Sequence, residues 1–271
     1  MIPLWRWEIP FIAWLQQGHP VLTPFFLVVT NVGGTPGMVL LGLLLYWCID
    51  RHSGSELFLT LGAIQSLNLW LKTFFRSPRP FRYSTRIRNF SNGHGFGFPS
   101  GHTVNAVVLW LYLALQLRRG WFWIAGGLFA LAVALSRVYL GVHFVIDILG
   151  GFAVGLLGLF LYLGVGRYLP SHLPESLVFQ AALLLLLGFL ATLFRPADVD
   201  FVLATTGLTW GALGMLLERH FVGFNTTGSW QRRALRLPVG ILGGFILWWS
   251  TTLLADLAPP LPDTLSFLDL S

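Results

Sequence analysis

Three short polar clusters interrupt an otherwise apolar chain between Lys72 and Asp147. The first runs from Lys72 through Arg79 to Pro80, the second is Pro99-Ser100-Gly101-His102, and the third extends from Ser136-Arg137 to His143 and Asp147. Asp147 is the only acidic residue between Glu56 and Glu175. A lone carboxylate near the start of an apolar helix is costly without a partner. His143, four residues earlier, falls on the same helical face. Its imidazole can donate one N–H to Asp147, which fixes the tautomer and leaves the other nitrogen free as a nucleophile or base. The same pair would also suit a purely structural hydrogen bond.

Arg137 lies six residues before His143, across a turn that Gly141 permits. Arg79 and Lys72 come from another helix end and its loop. Lys72 is the single lysine beside sixteen arginines, so lysine is not simply the default cation of this chain. Two guanidiniums and one ammonium suit a phosphoryl group, with planar forks for paired oxygens and a compact charge for another. Each alone would also suit a cation snorkelling to an interface.

Pro99-Ser100-Gly101-His102 opens a long apolar run. Ser100 suits an N-cap, and Gly101 exposes a backbone N–H at the helix start, which together make an anion site. His102 then stands in the first turn, where an imidazolium can give a proton to a leaving oxygen. His94, His102, His143 and Asp147 would be the candidate metal ligands. Three cations in the same place oppose a divalent ion, and there is no His-x-x-x-His pair or carboxylate cluster. The expectation is no metal and no cofactor.

These groups need rigid elements to hold them, and the composition says which. The chain has 271 residues, 55% hydrophobic and only 10% charged, with a mean hydropathy of +0.71. A soluble domain carries roughly 25% charged residues, so the solvent for most of this surface is lipid. The lone Cys48 excludes an internal disulfide and reads as a small buried hydrophobe. The net charge of +6 suits anionic headgroups or anionic substrates. No aromatic-interleaved basic run supports a nucleic-acid partner, and oligomeric state is not legible.

Apolar runs near residues 20–33, 36–50, 55–75, 101–117, 121–140, 144–166, 176–194, 200–217 and 237–255 are the candidate spans. Lipid cannot satisfy backbone groups, and runs this long without strict alternation are helices rather than barrel strands. The prediction is an all-α polytopic membrane bundle. Residues 1–19, with Trp5, Trp7 and Trp14, suit an interfacial helix or an amphipathic helix packed on the bundle. Residues 20–167 form a six-helix core with an Arg-, Pro- and Gly-rich loop at 76–99, in which Gly93 to Gly97 is a flexible approach to Pro99. Residues 168–271 add about three spans after a Pro-punctuated linker. There is no basic n-region with a cleavage site, so no signal peptide is expected.

If the spans alternate, all three clusters share one side. Arg6, Arg51, Arg118, Arg119, Arg167, Arg219, Arg232, Arg233 and Arg236 then fall on the other. The positive-inside rule puts the clusters outside the cytoplasm, against a contrary contribution from Arg76, Arg82, Arg86 and Arg88. Asn225-Thr226-Thr227, which has the form of a glycosylation acceptor, would then go unused.

Taken together, Lys72 with six residues to Arg79-Pro80, then Pro99-Ser100-Gly101-His102, then Ser136-Arg137 with five residues to His143 and three more to Asp147, resemble the tripartite signature of the type 2 phosphatidic acid phosphatase superfamily. Every signature position is filled. The resemblance spans roughly residues 20–167 and is silent on the last hundred. It implies a metal-independent lipid phosphatase or diphosphatase of the bacterial inner membrane. His143 would form a phosphohistidine, Asp147 would orient it, and His102 would serve the leaving group and then water. Lys72, Arg79, Arg137, Ser100 and the Gly101 amide would bind the equatorial oxygens. A phosphotransferase using the same phosphohistidine is a close alternative, and a non-enzymatic transporter or scaffold is one of another class. Soluble vanadium haloperoxidases share the residues but not the apolar spans.

Overall fold

A computed structural model of the chain describes residues 7–91, 93–166, 174–195 and 198–257. Arg6, Arg167, most of the linker and the acidic, Pro-rich tail lie outside the described residues. The regular elements of the described chain are all helices: α1 (Glu8–Leu15), α2 (Thr23–Val32), α3 (Thr35–Leu44, prolonged by a π-helical turn to Ile49), α4 (Arg51–Phe75), α5 (Pro80–Tyr83), α6 (Gly101–Leu117), α7 (Gly120–Tyr139), α8 (Val145–Leu161), α9 (Leu177–Phe194), α10 (Val199–Phe221) and α11 (Trp230–Leu257). Among the described residues, α7, α8 with its extension, α9 and α10 are each long and apolar enough to cross a bilayer.

α2 and α3 alter the expected topology. Each has ten residues, about 15 Å of helix against about 30 Å of hydrocarbon. They are bent by 43° across Gly33-Gly34 and are long and apolar enough to cross only as a pair. The two apolar runs read as separate spans are each too short to be one. α1 sits at the same end as the three clusters, because the backbone N–H groups of Val145 and Ile146 donate to Glu8 and the Gln16 side-chain amide donates to Arg88 O at 2.8 Å. Arg6, expected on the opposite side, lies outside the described residues. Ile9 and Ile12 pack inward against Ile87, Val138 and Phe144, while Trp7 and Trp14 face outward.

The centre of the bundle is α4, α6, α7 and α8. In lipid there is no hydrophobic gain when two apolar helices meet, so close packing has to hold them. α8 supplies it with Gly151, Gly155 and Gly158 along one face. A Cβ at these positions would lie 2.8 Å from Thr103 Cβ, 2.8 Å from Val107 Cβ and 2.4 Å from Ile64 Cδ1. α6 responds with nine buried residues, among them Val104, Val107, Val108 and Tyr112. α4, at 25 residues, is long enough to span, and its polar Gln65, Asn68 and Lys72 share one face.

The carboxy-terminal helices are looser. α10 packs along α4 and α9 packs on α10, yet α9 buries no residue. The anchor is polar: Glu218 at the end of α10 accepts from Tyr46 at 3.2 Å and pairs with Arg51 at 3.4 Å.

Candidate active site

α7 ends at Tyr139, and the chain reverses through Gly141 at φ +76 before α8 begins at Val145. Arg137 occupies the last turn of α7 and His143 the turn between the helices, so a reversal of a few residues sets both beside the start of α8. There Asp147 Oδ2 accepts from the Phe144 backbone N–H at 3.0 Å and from His143 Nδ1 at 3.1 Å. His143 is 2% exposed and Asp147 fully buried.

The second imidazole nitrogen faces Arg79, whose Nη1 lies 3.2 Å from His143 Nε2. A guanidinium only donates, so Nε2 is the acceptor there, Nδ1 carries the proton, and Asp147 receives it. The network thus fixes the tautomer with Nε2 unprotonated. Burial, and then the charges of Lys72, Arg79 and Arg137, hold the His143 pKa well below the usual imidazole value, so the ring is neutral. Burial also pulls the Arg79 guanidinium down to about 10, against the opposing pull of Asp147.

The cations organise the loop as well as the site. α4 ends in a left-handed residue, Arg76 at φ 48, which turns the chain out of the helix. Arg79 then reaches back to donate to the carbonyls of His94, Gly95 and Val142. Lys72 Nζ donates to Phe96 O at 3.0 Å and Gly97 O at 3.1 Å. The segment read as a flexible approach is therefore tied down by its own carbonyls. At Gly97 a Cβ would lie 2.9 Å from Asp147 Oδ2 and 3.0 Å from Pro78 O, so the loop backbone touches the carboxylate because no side chain stands there. Arg137, 2% exposed, is held by Thr30 Oγ1 at 2.8 Å, and its Nε has no partner.

α6 starts beside this cluster. Ser100 N–H donates to the Asp147 carbonyl at 2.9 Å, which ties the start of α6 to the start of α8. Ser100 stands at the N-cap position, but its hydroxyl accepts from Thr103 Oγ1 at 3.0 Å rather than from a helix N–H. The first N–H groups of α6 are thus not met by that side chain, which leaves an anion-binding helix end. His102 lies against the break between α2 and α3: a Cβ on Gly34 would stand 2.9 Å from His102 Nε2.

All eight residues singled out from the sequence therefore gather at one end of the bundle. Sequence reasoning did not find Thr30, the loop carbonyls, Gln16 or Glu8. Thr30 lies 107 residues from the arginine it holds, with no local pattern to point to it. Gln16 accepts from Arg88 N–H and donates to Tyr139 O, which joins loop and helix end. The Pro-Gly texture of residues 93–99 was the one available hint of close backbone approach.

Residues 54–170 match the PAP2 superfamily, and residues 203–268 match the PAP2 superfamily phosphatase, transmembrane extension. Phosphatidylglycerophosphatase B of Bacillus subtilis (strain 168) is 33% identical over 159 residues, which are 54% of this chain and 76% of that protein. Lipid A 4'-phosphatase of Porphyromonas gingivalis is 32% identical over 168 residues, 58% of this chain and 60% of that one. The crystal structure of Aquifex aeolicus LpxE is similar in fold, with a TM-score of 0.54 at 24% identity over 60% of this chain and 98% of that chain. With a relative matched over three quarters of its length and a family match on the residues that build this site, the chain belongs to the PAP2 superfamily and is an integral membrane phosphatase.

Proposed function

We propose that this protein hydrolyses a lipid phosphate through a phosphohistidine at His143. The observation that carries the reading is the His143 ring, held between Asp147 at Nδ1 and Arg79 at Nε2. Phosphate arrives between Arg79, Arg137, Lys72 and the start of α6. Arg79 exchanges its contact with Nε2 for phosphoryl oxygens. Nε2 attacks phosphorus, the P–O bond to the lipid breaks, and protonated His102 gives its proton to the departing alkoxide. Asp147 stabilises the charge that the ring acquires. Water then attacks phosphorus with His102 taking its proton, the P–N bond breaks, and inorganic phosphate leaves. Charge spread over the equatorial oxygens meets donors already in position. Ser100 and the Gly101 N–H complete that set.

The names of the relatives support lipid phosphates as the substrate class, including phosphatidylglycerophosphate and the lipid A 4'-phosphate. We assign the site to the extracytoplasmic face of a bacterial inner membrane. Arg51, Arg118, Arg119, Arg219, Arg232, Arg233 and Arg236 at the far end support this side by the positive-inside rule. The core is taken as residues 20–167 and the extension as 168–271.

The test is release of phosphate from a lipid monophosphate by purified protein in detergent with a chelator present. Native protein should release it and His143→Ala should not. Undiminished release by that variant refutes the nucleophile. Abolition by chelator with restoration by zinc refutes the metal-independent mechanism. Dependence of turnover on a second lipid acceptor, with no free phosphate, would identify a phosphotransferase instead.

A further inference from the structure

Asn68 and Gln65 stand on the face of α4 that carries Lys72, one and two turns before it. Asn68 is fully buried, yet among the described residues neither its Oδ1 nor its Nδ2 has a hydrogen-bond partner. Both amide atoms are orphaned, so the choice between oxygen and nitrogen in that side chain does not affect the point. Gln65 Oε1 is likewise buried without a partner. Buried polar groups are almost always paired, so each exception calls for a physical reason.

Their position says which part of a ligand. A Cβ on Gly101 would lie 3.2 Å from Asn68 Nδ2 and 3.3 Å from Gln65 Nε2. The two amides therefore wall the start of α6, next to Ser100 and His102. Along α4 they lie about 6 Å and about 10 Å further into the bilayer than Lys72. A lipid whose phosphate is held by the cations points its bridging oxygen and tail inward, past these amides. They meet the linker between phosphate and hydrocarbon.

The hydrogen-bonding inventory then selects the linker. Carbonyl oxygens only accept. A second, ionised phosphate offers acceptors alone and would strand Asn68 Oδ1 and Gln65 Oε1. A bare isoprenoid or alkyl chain offers nothing to either residue. A hydroxyl beside the phosphate-bearing carbon donates to one carbonyl and accepts from Nδ2, and an amide there does the same with its N–H and its carbonyl oxygen. We infer that Asn68 and Gln65 form a linker subsite that favours lipid phosphates with a hydroxyl or amide next to the phosphate-bearing carbon. The inference rests on the lipid phosphatase reading of the same site.

The test compares kcat/KM for oleoyl lysophosphatidate, which carries such a hydroxyl, with that for oleyl phosphate, which does not. Native protein should prefer the hydroxyl-bearing lipid at least about tenfold. In Asn68→Leu the ratio of the two values should fall by about 10- to 100-fold, and in Gln65→Leu by a smaller factor. A ratio does not depend on how much of the variant folds. A native ratio near one overturns the subsite, as does a ratio unchanged in Asn68→Leu. The latter is the result expected if the two amides merely bond each other. If neither lipid is hydrolysed, the phosphatase reading fails on its own account. Calorimetric titration of the same two lipids then decides the subsite: tighter binding of lysophosphatidate that disappears in Asn68→Leu supports it, and equal affinities overturn it.

Discussion

Two carboxylates at opposite ends of the bundle are treated in opposite ways. Glu56, on α4 at the far end, accepts at Oε2 from Tyr112, Tyr162 and Gln116, and its Oε1 is 3.4 Å from His52. Three helices are tied to one side chain there. Asp147, at the site end, accepts at Oδ2 from His143 and Phe144, while its buried Oδ1 has no partner. Near it Arg137 Nε and both amide atoms of Asn68 are also unmatched. Glu56 spends its hydrogen-bonding capacity on holding helices together; Asp147 keeps capacity in reserve. Leaving buried polar groups unmet costs about 1–3 kcal/mol each, so the site end forgoes stability that the far end keeps.

The largest effect that tests this contrast is at the nucleophile. His143→Ala should lower lipid phosphate hydrolysis by about 10⁴-fold or more, while the thermal midpoint in detergent hardly moves. A matching loss of stability would mean that the His143–Asp147 pair holds the fold instead. Next is Asp147→Asn, which keeps the shape but loses the charge behind the ring. It should cost about 10³-fold in kcat, measured with protein shown to be folded by circular dichroism; native turnover would remove Asp147 from the mechanism. At the far end Glu56→Ala removes the acceptor that Tyr112, Tyr162 and Gln116 share. It should cost about 2–3 kcal/mol of stability, read as a lower denaturation midpoint, with kcat/KM within about twofold of native. Loss of activity without loss of stability would erase the distinction between the ends.

The smallest effect is a pH profile. His143 must be neutral to attack, and its pKa is held below 6.5. Activity lost to its protonation on acidification therefore sets in below the ordinary imidazole range. On the alkaline side activity falls as His102 loses the proton that the departing alkoxide needs. The kcat/KM profile of the free enzyme, corrected for the ionisation of the substrate, should carry no acid limb at 6.5. A limb at that value would show an imidazole in an ordinary aqueous setting.

The parts of this molecule that were legible in the sequence are those with local causes. Lys72, Arg79, His143 and Asp147 stand at fixed spacings on helix ends, and helix geometry carries those spacings into space. The spans of α7 to α10 follow from uninterrupted apolar length. The Gly33-Gly34 break was visible as an interruption, but its meaning was not. Whether two short runs cross the membrane twice or once depends on where α1 docks, and Glu8 contacts Val145 across 137 positions of sequence. Thr30 under Arg137 and the loop carbonyls around Lys72 are likewise products of tertiary contact, and a side-chain pattern does not record where a carbonyl points.

The Glu8 clamp has an implication for how the molecule comes to be active. α1 precedes α8 by more than a hundred residues, so the amides it grips exist only after α8 has been made. α1 can latch onto the turn that carries His143 only once α8 is in place. Completion of the catalytic end thus waits on the joining of two segments that are made far apart in time.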